Sequence, residues 1–436
     1  MKLCYGRRKI NIPFFVVLIS LLSSMSSQSS NSTAANIRID NVHIYQTELK
    51  SFSQKSRLYL GDKKIINITP MTDSPLSANN IIDGQNKYII PGLTDLHVHI
   101  GASGSNYSQY QHVPLQGNLN AYLYSGVTQV VDLFSFDNTL MAAQTLGQTQ
   151  ITPNLYFAGA LLTNTGGHGT QFGDGAIILS ADTDLDKAWQ EHMARKPHVT
   201  KAVIETFGGH GATLTDKQLR DIGERSKAEN LSYFVHVSSL FDAKRAIKAG
   251  ATALAHGVNY EPVDNELIDL MIKHGVAYIP TLSVLHNIGA EKENQYISSQ
   301  GELLNIIPKK LQHCLFEQVP ALNKWQSYAW EKRQTAYDNI LALHQAGVVI
   351  GAGSDAGNPY ALHGVSMHSE LQWLKAAGLT NAEVINSATN LAAGVIYQAN
   401  TIGKIAKGYE ANFVMLNTNP LVELSALMDI SDVYKA

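Results

Sequence analysis

Two cysteines, Cys4 and Cys314, are all that the 436 residues contain. Cys4 precedes the apolar run of residues 14–22 and does not follow it, which argues against a lipoprotein attachment site. Without Cys4 a single thiol is left, and one thiol makes no internal disulfide, so stability cannot rest on bridges. Charge is equally sparse. Charged residues make up 16% of the chain, the formal net charge is −3, and no basic stripe appears, which excludes most nucleic-acid binders. No acidic residue precedes Asp40. The run at 14–22 falls short of the ~20 residues that span a bilayer.

What is present begins with a leader. Lys2, Arg7, Arg8 and Lys9 precede the run, and serine-rich small residues follow to Ala35, the layout of an export signal. The mature chain is expected to be exported, to start between about Ser27 and Asn36 on that layout, and to have no membrane attachment. An uncleaved anchor is the alternative. Hydrophobic residues make up 44%, enough for a large core. Residues 36–45 and 58–68 alternate as short strands. From Pro91-Gly92 to about Ala399, apolar runs alternate with helical patterns. The runs lie at 93–98, 127–134, 155–162, 199–206, 231–237, 251–255, 276–282 and 348–352. Helices are expected at 216–229, 241–249, 266–274 and 330–346, several of them stopped by glycine. Eight such units predict an α/β fold, a closed (β/α)8 TIM barrel, rather than an open sheet. Residues 286–330 interrupt the rhythm as either a lid or a packed surface excursion. The expected organisation is a leader over 1–35, a barrel over 91–402, and a small β-sandwich module built from 36–90 and 403–436.

The chemistry concentrates at strand ends. In Asp95-Leu96-His97-Val98-His99, the two histidines are two apart, a spacing that places side chains on one face of a strand. His236, His256 and Asp355 each fall at the C-terminal end of another expected strand, the rim where barrel active sites lie. Four histidines and a carboxylate on one rim are a ligand set for a divalent cation. Such an ion brings the pKa of water towards neutrality and polarises carbonyls.

These motifs resemble those of the amidohydrolase superfamily. The resemblance extends through Ser125-Gly126-Val127-Thr128 to the closing Gly403-Lys404-Ile405 and Asn419-Pro420. The block Thr165-Gly166-Gly167-His168-Gly169 and the sequel His363-Gly364 to His368 and Glu370 resemble the prolidase-like and imidazolonepropionase-like branch. The resemblance implies one or two divalent ions, commonly Zn2+. It assigns His97 and His99 to the more buried ion, and His236 and His256 to a second ion or to substrate polarisation. It makes Asp355 a ligand and the proton shuttle, with His256 as its catalytic companion. Dinuclear relatives bridge their ions with a carboxylated strand-4 lysine. Lys201 fits that role, while Glu205, on the same face by alternation and nearer the strand end, is the competing bridge or substrate contact. Two departures accompany the resemblance: Ala411-Asn412 replaces an alanine–aspartate pair, and the chain stops at Ala436, where relatives usually add a strand. A shortened C-terminus would expose a sheet edge.

Other residues carry less. His168, Tyr260 and His286 are candidates to line the substrate pocket, and His210 shares the ambiguity of a glycine-rich loop. His363 and His368 read as helix-start or supporting groups, and Asp132 as structural. The expected activity is hydrolysis of a C–N bond in a small molecule, such as a dipeptide or N-acyl amino acid. Lactone or phosphoester hydrolysis, or a barrel that only binds, are the alternatives. A small-molecule substrate is the expected partner, and homo-oligomer formation is left open.

Overall fold

The computed structural model describes residues 35–105, 111–205, 211–294, 301–313, 315 and 321–436. The leader, His210 and Cys314 lie outside them.

The barrel is assembled from parallel strands. Leu93–Val98, Val127–Asp132 and Asn154–Phe157 form one ladder. Val199–Val203, Ser232–Val237, Ala253–His256 and Ala277–Ile279 form a second. The two are joined by His198 N–H donating to Phe157 O at 2.8 Å. The eighth unit, residues 348–352, is no regular strand. It closes the ring through a bridge from Ile350 to Tyr278 and through Leu96 N–H to Ala352 O at 3.0 Å. A glycine is needed where this segment crosses the first strand, since a Cβ at Gly353 would lie 2.7 Å from Ile279 and 3.1 Å from His97.

Leu93–Val98, Val127–Asp132 and Val199–Val203 bury both faces, as a sheet covered by helices requires. Leu96, Phe234, Ala253, Ala255 and Ile279 fill the barrel interior, which Ala392 and Val395 of Asn390–Val395 help to cover. Val98, Val130, Val235 and Leu254 face outward, against the helices.

Three expectations need correction. The run at 155–162 is broken: Asn154–Phe157 ends before Gly159, at φ +73°, and Leu161–Asn164 then pairs with Ala176–Leu179 as an added parallel ladder. The run at 276–282 stops at Ile279, and Leu282–Asn294 is helix. An apolar run alone does not separate a strand from the first turn of a buried helix. The expected 330–346 helix is two, Lys324–Glu331 and Arg333–Gln345. Within the described residues, the 286–330 excursion is a packed helical layer, with Ile288, Leu304, Leu311 and Leu315 against Tyr360 and Leu362.

The second module is mostly strand. Ala35–Gln46 is shared by two ladders, pairing with Ser56–Gly61 and Ala78–Asp83 at one end and with Tyr88–Pro91 near the other. The expected strand at 58–68 is in fact a hairpin, Ser56–Gly61 with Lys64–Pro70. Phe413–Leu416 joins Tyr88–Pro91 antiparallel and also pairs with Ile430–Tyr434. Ile39, Leu58, Ile89, Phe413 and Tyr434 make the core between the ladders. Asn412, the departure noted above, is buried and serves as a junction: its carbonyl accepts from Gly92 N–H and its side chain from Ala436 N–H. No helix among the described residues is long and apolar enough to cross a membrane.

Candidate metal centre

The C-terminal ends of the strands bring the ligand candidates together. His97 Nε2 and His99 Nε2 lie 3.3 and 3.0 Å from Asp355 Oδ1, and His256 Nδ1 lies 3.9 Å from Asp355 Oδ2. The His97 and His256 rings are 4.8 Å apart between centroids, and those of His256 and His236 4.3 Å. His236 Nε2 is 3.4 Å from Glu205 Oε2, and the His168 ring stands 5.2 Å from that of His236.

The route to this convergence differs from simple alternation. Pairing of the first strand shifts register between Asp95 and Val98, with Leu96 inside the barrel and Val98 outside. On the sixth strand Ala253 and Ala255 face inward, so alternation would send His256 outward. His256 is instead left-handed, at φ +76°, and its ring joins the cluster. Asp355 (φ +55°) and Thr281 (φ +49°) are left-handed as well. Each non-glycine residue so held costs on the order of 1–3 kcal/mol, and such residues concentrate at functional sites. Gly257, at φ +93°, allows the close approach of the Tyr278 ring, which a Cβ would meet at 2.3 Å.

Alternation does describe the fourth strand. Val199 packs in the interior, and Lys201 and Glu205 follow on the same side, both buried. Lys201 Nζ has no hydrogen-bond partner among the described residues. Burial pushes this amine down to about 7, against the opposing pull of Asp355. A buried ammonium without a partner is costly, so the neutral amine or a carboxylated form suits the position better.

The histidines are held mostly neutral. Burial, with Lys201 and neighbouring imidazoles, keeps His97 well below its ordinary value, and His256 is lowered for the same reasons. Burial also lowers His236, opposed by Glu205, and brings His168 to about 4. At His99 burial opposes the proton, yet contact with Asp355 raises the group overall. Neutral imidazoles are what a cation requires. One donor atom each from His97, His256 and Asp355 fall within 4.8 Å of one another, a spread that bonds of about 2.1 Å can bridge. This His–His–Asp group can hold a divalent metal ion.

Around these groups lies a supporting layer that the sequence reading only partly named. Asp95 accepts from His97 N–H and from the N–H and hydroxyl of Ser354, and burial lifts its carboxyl to about 7. Asp132 accepts from Ile100 N–H and Ser135, in keeping with a structural role. His99 Nδ1 meets Phe134 O at 3.0 Å, and His256 Nδ1 meets Thr281 Oγ1 at 2.8 Å. Thr281 carried no signal in sequence, whereas Asp95 and Ser354 flank recognised ligands. His363 bridges Tyr122 and Ala102 O, and His368 reaches Ser125 O.

Two pocket candidates sit elsewhere. Tyr260 is partly exposed and packs its ring on Tyr328 at 5.2 Å. His286 is enclosed by Trp330, Tyr337 and Trp373, and burial drives it down to about 3. The Leu282–Asn294 helix starts early and carries His286 into that aromatic cage.

Comparison with known proteins agrees with this architecture. Ochratoxinase of Aspergillus niger is 27% identical over 389 residues, 78% of this chain and 72% of the relative. Its crystal structure superposes with a TM-score of 0.72 at 22% identity, covering 92% of this chain and 94% of that one. The structure of a Xaa-Pro dipeptidase with bound methionine gives a TM-score of 0.74 at 21% identity, covering 92% and 98%. Residues 88–435 match the amidohydrolase family, and the chain belongs to that family.

Proposed function

We propose that this protein hydrolyses the C–N bond of a small amide, a dipeptide or an N-acyl amino acid. The observation that carries the reading is the convergence of His97, His99, His236, His256 and Asp355 around the buried Lys201 at one end of the barrel. The names of the ochratoxinase and Xaa-Pro dipeptidase relatives support it.

His97, His99 and Asp355 would hold one divalent ion, with Zn2+ the expected metal. His236, His256 and a carboxylated Lys201 would hold a second. Such ions supply Lewis acidity and water activation near neutral pH. In this reading Asp355 takes the proton of the attacking water and returns it to the leaving nitrogen. In the one-ion alternative His256 instead polarises the substrate carbonyl. His168 and Glu205, both beside His236, flank the substrate. We further propose that the chain acts outside the cytoplasm after loss of its leader.

The test is a hydrolysis screen after chelation and reconstitution with zinc, cobalt or manganese. Dipeptides and N-acyl amino acids should be cleaved in metal-loaded protein only. Turnover of lactones or phosphotriesters alone, or full turnover in metal-free protein, would overturn the reading.

A further inference from the structure

Helix Val365–Ala376 follows the Asp355 loop and carries Glu370, whose carboxylate is fully buried. Its Oε2 accepts from Ser283 N–H at 2.7 Å and from Ser283 Oγ at 3.0 Å, with Leu282 N–H as a further donor. These amides open the helix Leu282–Asn294, which has no acidic residue in its own first turn. A carboxyl oxygen there satisfies amides that would otherwise lack partners, even though burial raises the group to about 8.

The residue just before this helix is Thr281. It is fully buried and β-branched, and its left-handed conformation is one that a branched side chain rarely adopts. Something must hold it, and its immediate neighbours Leu282 and Ser283 are the groups tied to Glu370. The Thr281 hydroxyl in turn meets His256 Nδ1 at 2.8 Å. A partner on one ring nitrogen orients the ring and leaves the other nitrogen free to bind; because a hydroxyl can donate or accept, the proton position it selects depends on how that hydroxyl is itself held.

We infer that Glu370 is a positioning residue: by anchoring the start of helix Leu282–Asn294 it holds Thr281 on His256 and fixes the tautomer and orientation of that imidazole. The consequence for catalysis rests on the hydrolase reading above, but the structural claim does not.

The test uses full-length protein labelled with 15N-histidine and freed of metal by chelation, so that no ion fixes the ring, the His256 signals being identified by their loss in His256→Asn. Wild type and Thr281→Ser should show a single His256 tautomer, and Thr281→Val a mixture. Glu370→Leu removes the acceptor and Glu370→Asp withdraws it by one methylene, so both should show the mixture too. Glu370→Gln keeps an acceptor oxygen and should restore the single tautomer. Where substrate turnover is measured, kcat should fall roughly 10- to 100-fold in Glu370→Leu with KM little changed, the usual scale for such supporting groups. If Glu370→Leu does not fold, Glu370→Asp decides. An unchanged single tautomer in Glu370→Asp, or a Gln variant as mixed as the Leu variant, would overturn the inference. Absence of any hydrolysis would sink the functional reading and leave the spectroscopic result standing.

Discussion

His99 Nε2 and Asp355 Oδ1 lie 3.0 Å apart, joining the first strand of the barrel to the loop that follows the last segment of the ring. His97 Nε2 stands 3.3 Å from the same oxygen. A carboxylate so placed is a ligand candidate and, in the function proposed above, the group that takes the proton of the attacking water.

Asp355→Asn should therefore lower kcat by about 100-fold or more while substrate still binds, since general acid–base catalysis contributes on that scale. Metal content must be measured alongside, to separate loss of the base from loss of the ion. A variant that keeps its metal and the wild-type rate would place the proton shuttle elsewhere.

The environment of Lys201 leads to a stoichiometry. Lys201→Ala should retain no more than one ion per chain, and Glu205→Ala two. Bicarbonate during reconstitution should raise the metal content of wild type and leave Lys201→Ala unchanged. If Glu205→Ala is the variant that loses the second ion, the bridging group is Glu205.

The conformation at Gly257 gives a stability prediction. Gly257→Ala adds a Cβ to a residue at φ +93° and drives it into the Tyr278 ring. A cost of about 2 kcal/mol or more is expected from strain and overpacking. Activity should fall as well, because the neighbouring residue is His256. Thermal melting and kcat together test this, and a variant with wild-type values of both would refute it.

Acid should destabilise the fold through histidines remote from the metal candidates. Burial lowers His192 to about 4 and His286 to about 3. Their ordinary value is near 6.5, so the unfolded chain takes up protons first as pH falls. Stability is therefore full above about pH 6.5 and is lost as the pH drops towards the folded values. Between pH 7 and 5 each should cost roughly 2 kcal/mol. Urea midpoints at the two pH values should move less in His192→Phe than in wild type. An equal shift would assign the acid sensitivity to other groups.

Export has its own measurement. The N-terminus of protein recovered from outside the cytoplasm should fall after about Ser27 and no later than Asn36, on the usual layout of a leader. Full-length protein found only inside the cell would refute it.

The ligand candidates were readable because histidine and aspartate at strand ends leave a one-dimensional trace. The shared face of Lys201 and Glu205 followed from strand alternation alone. His256 shows where that rule ends: its direction depends on a left-handed φ that no periodicity records. Thr281 was hidden for the same reason, inside an apolar run that looked like one strand and is a strand, a turn and a helix start. Glu370 and His363 stood out by type, but their partners Ser283 and Tyr122 are distant in sequence and became visible only when the helices packed.

The pairing of Tyr88–Pro91 with Phe413–Leu416 sets a timetable for the newborn chain. Tyr88–Pro91 leads directly into the first barrel strand, yet one of its edges has no partner until nearly the whole polypeptide has been made. Until then an apolar edge with Ile89 and Ile90 stays open to other chains, the situation in which large proteins aggregate. Under the export proposed above, that delay would become useful: a module that cannot close early would keep the polypeptide unfinished, and so threadable, until its last strands arrive.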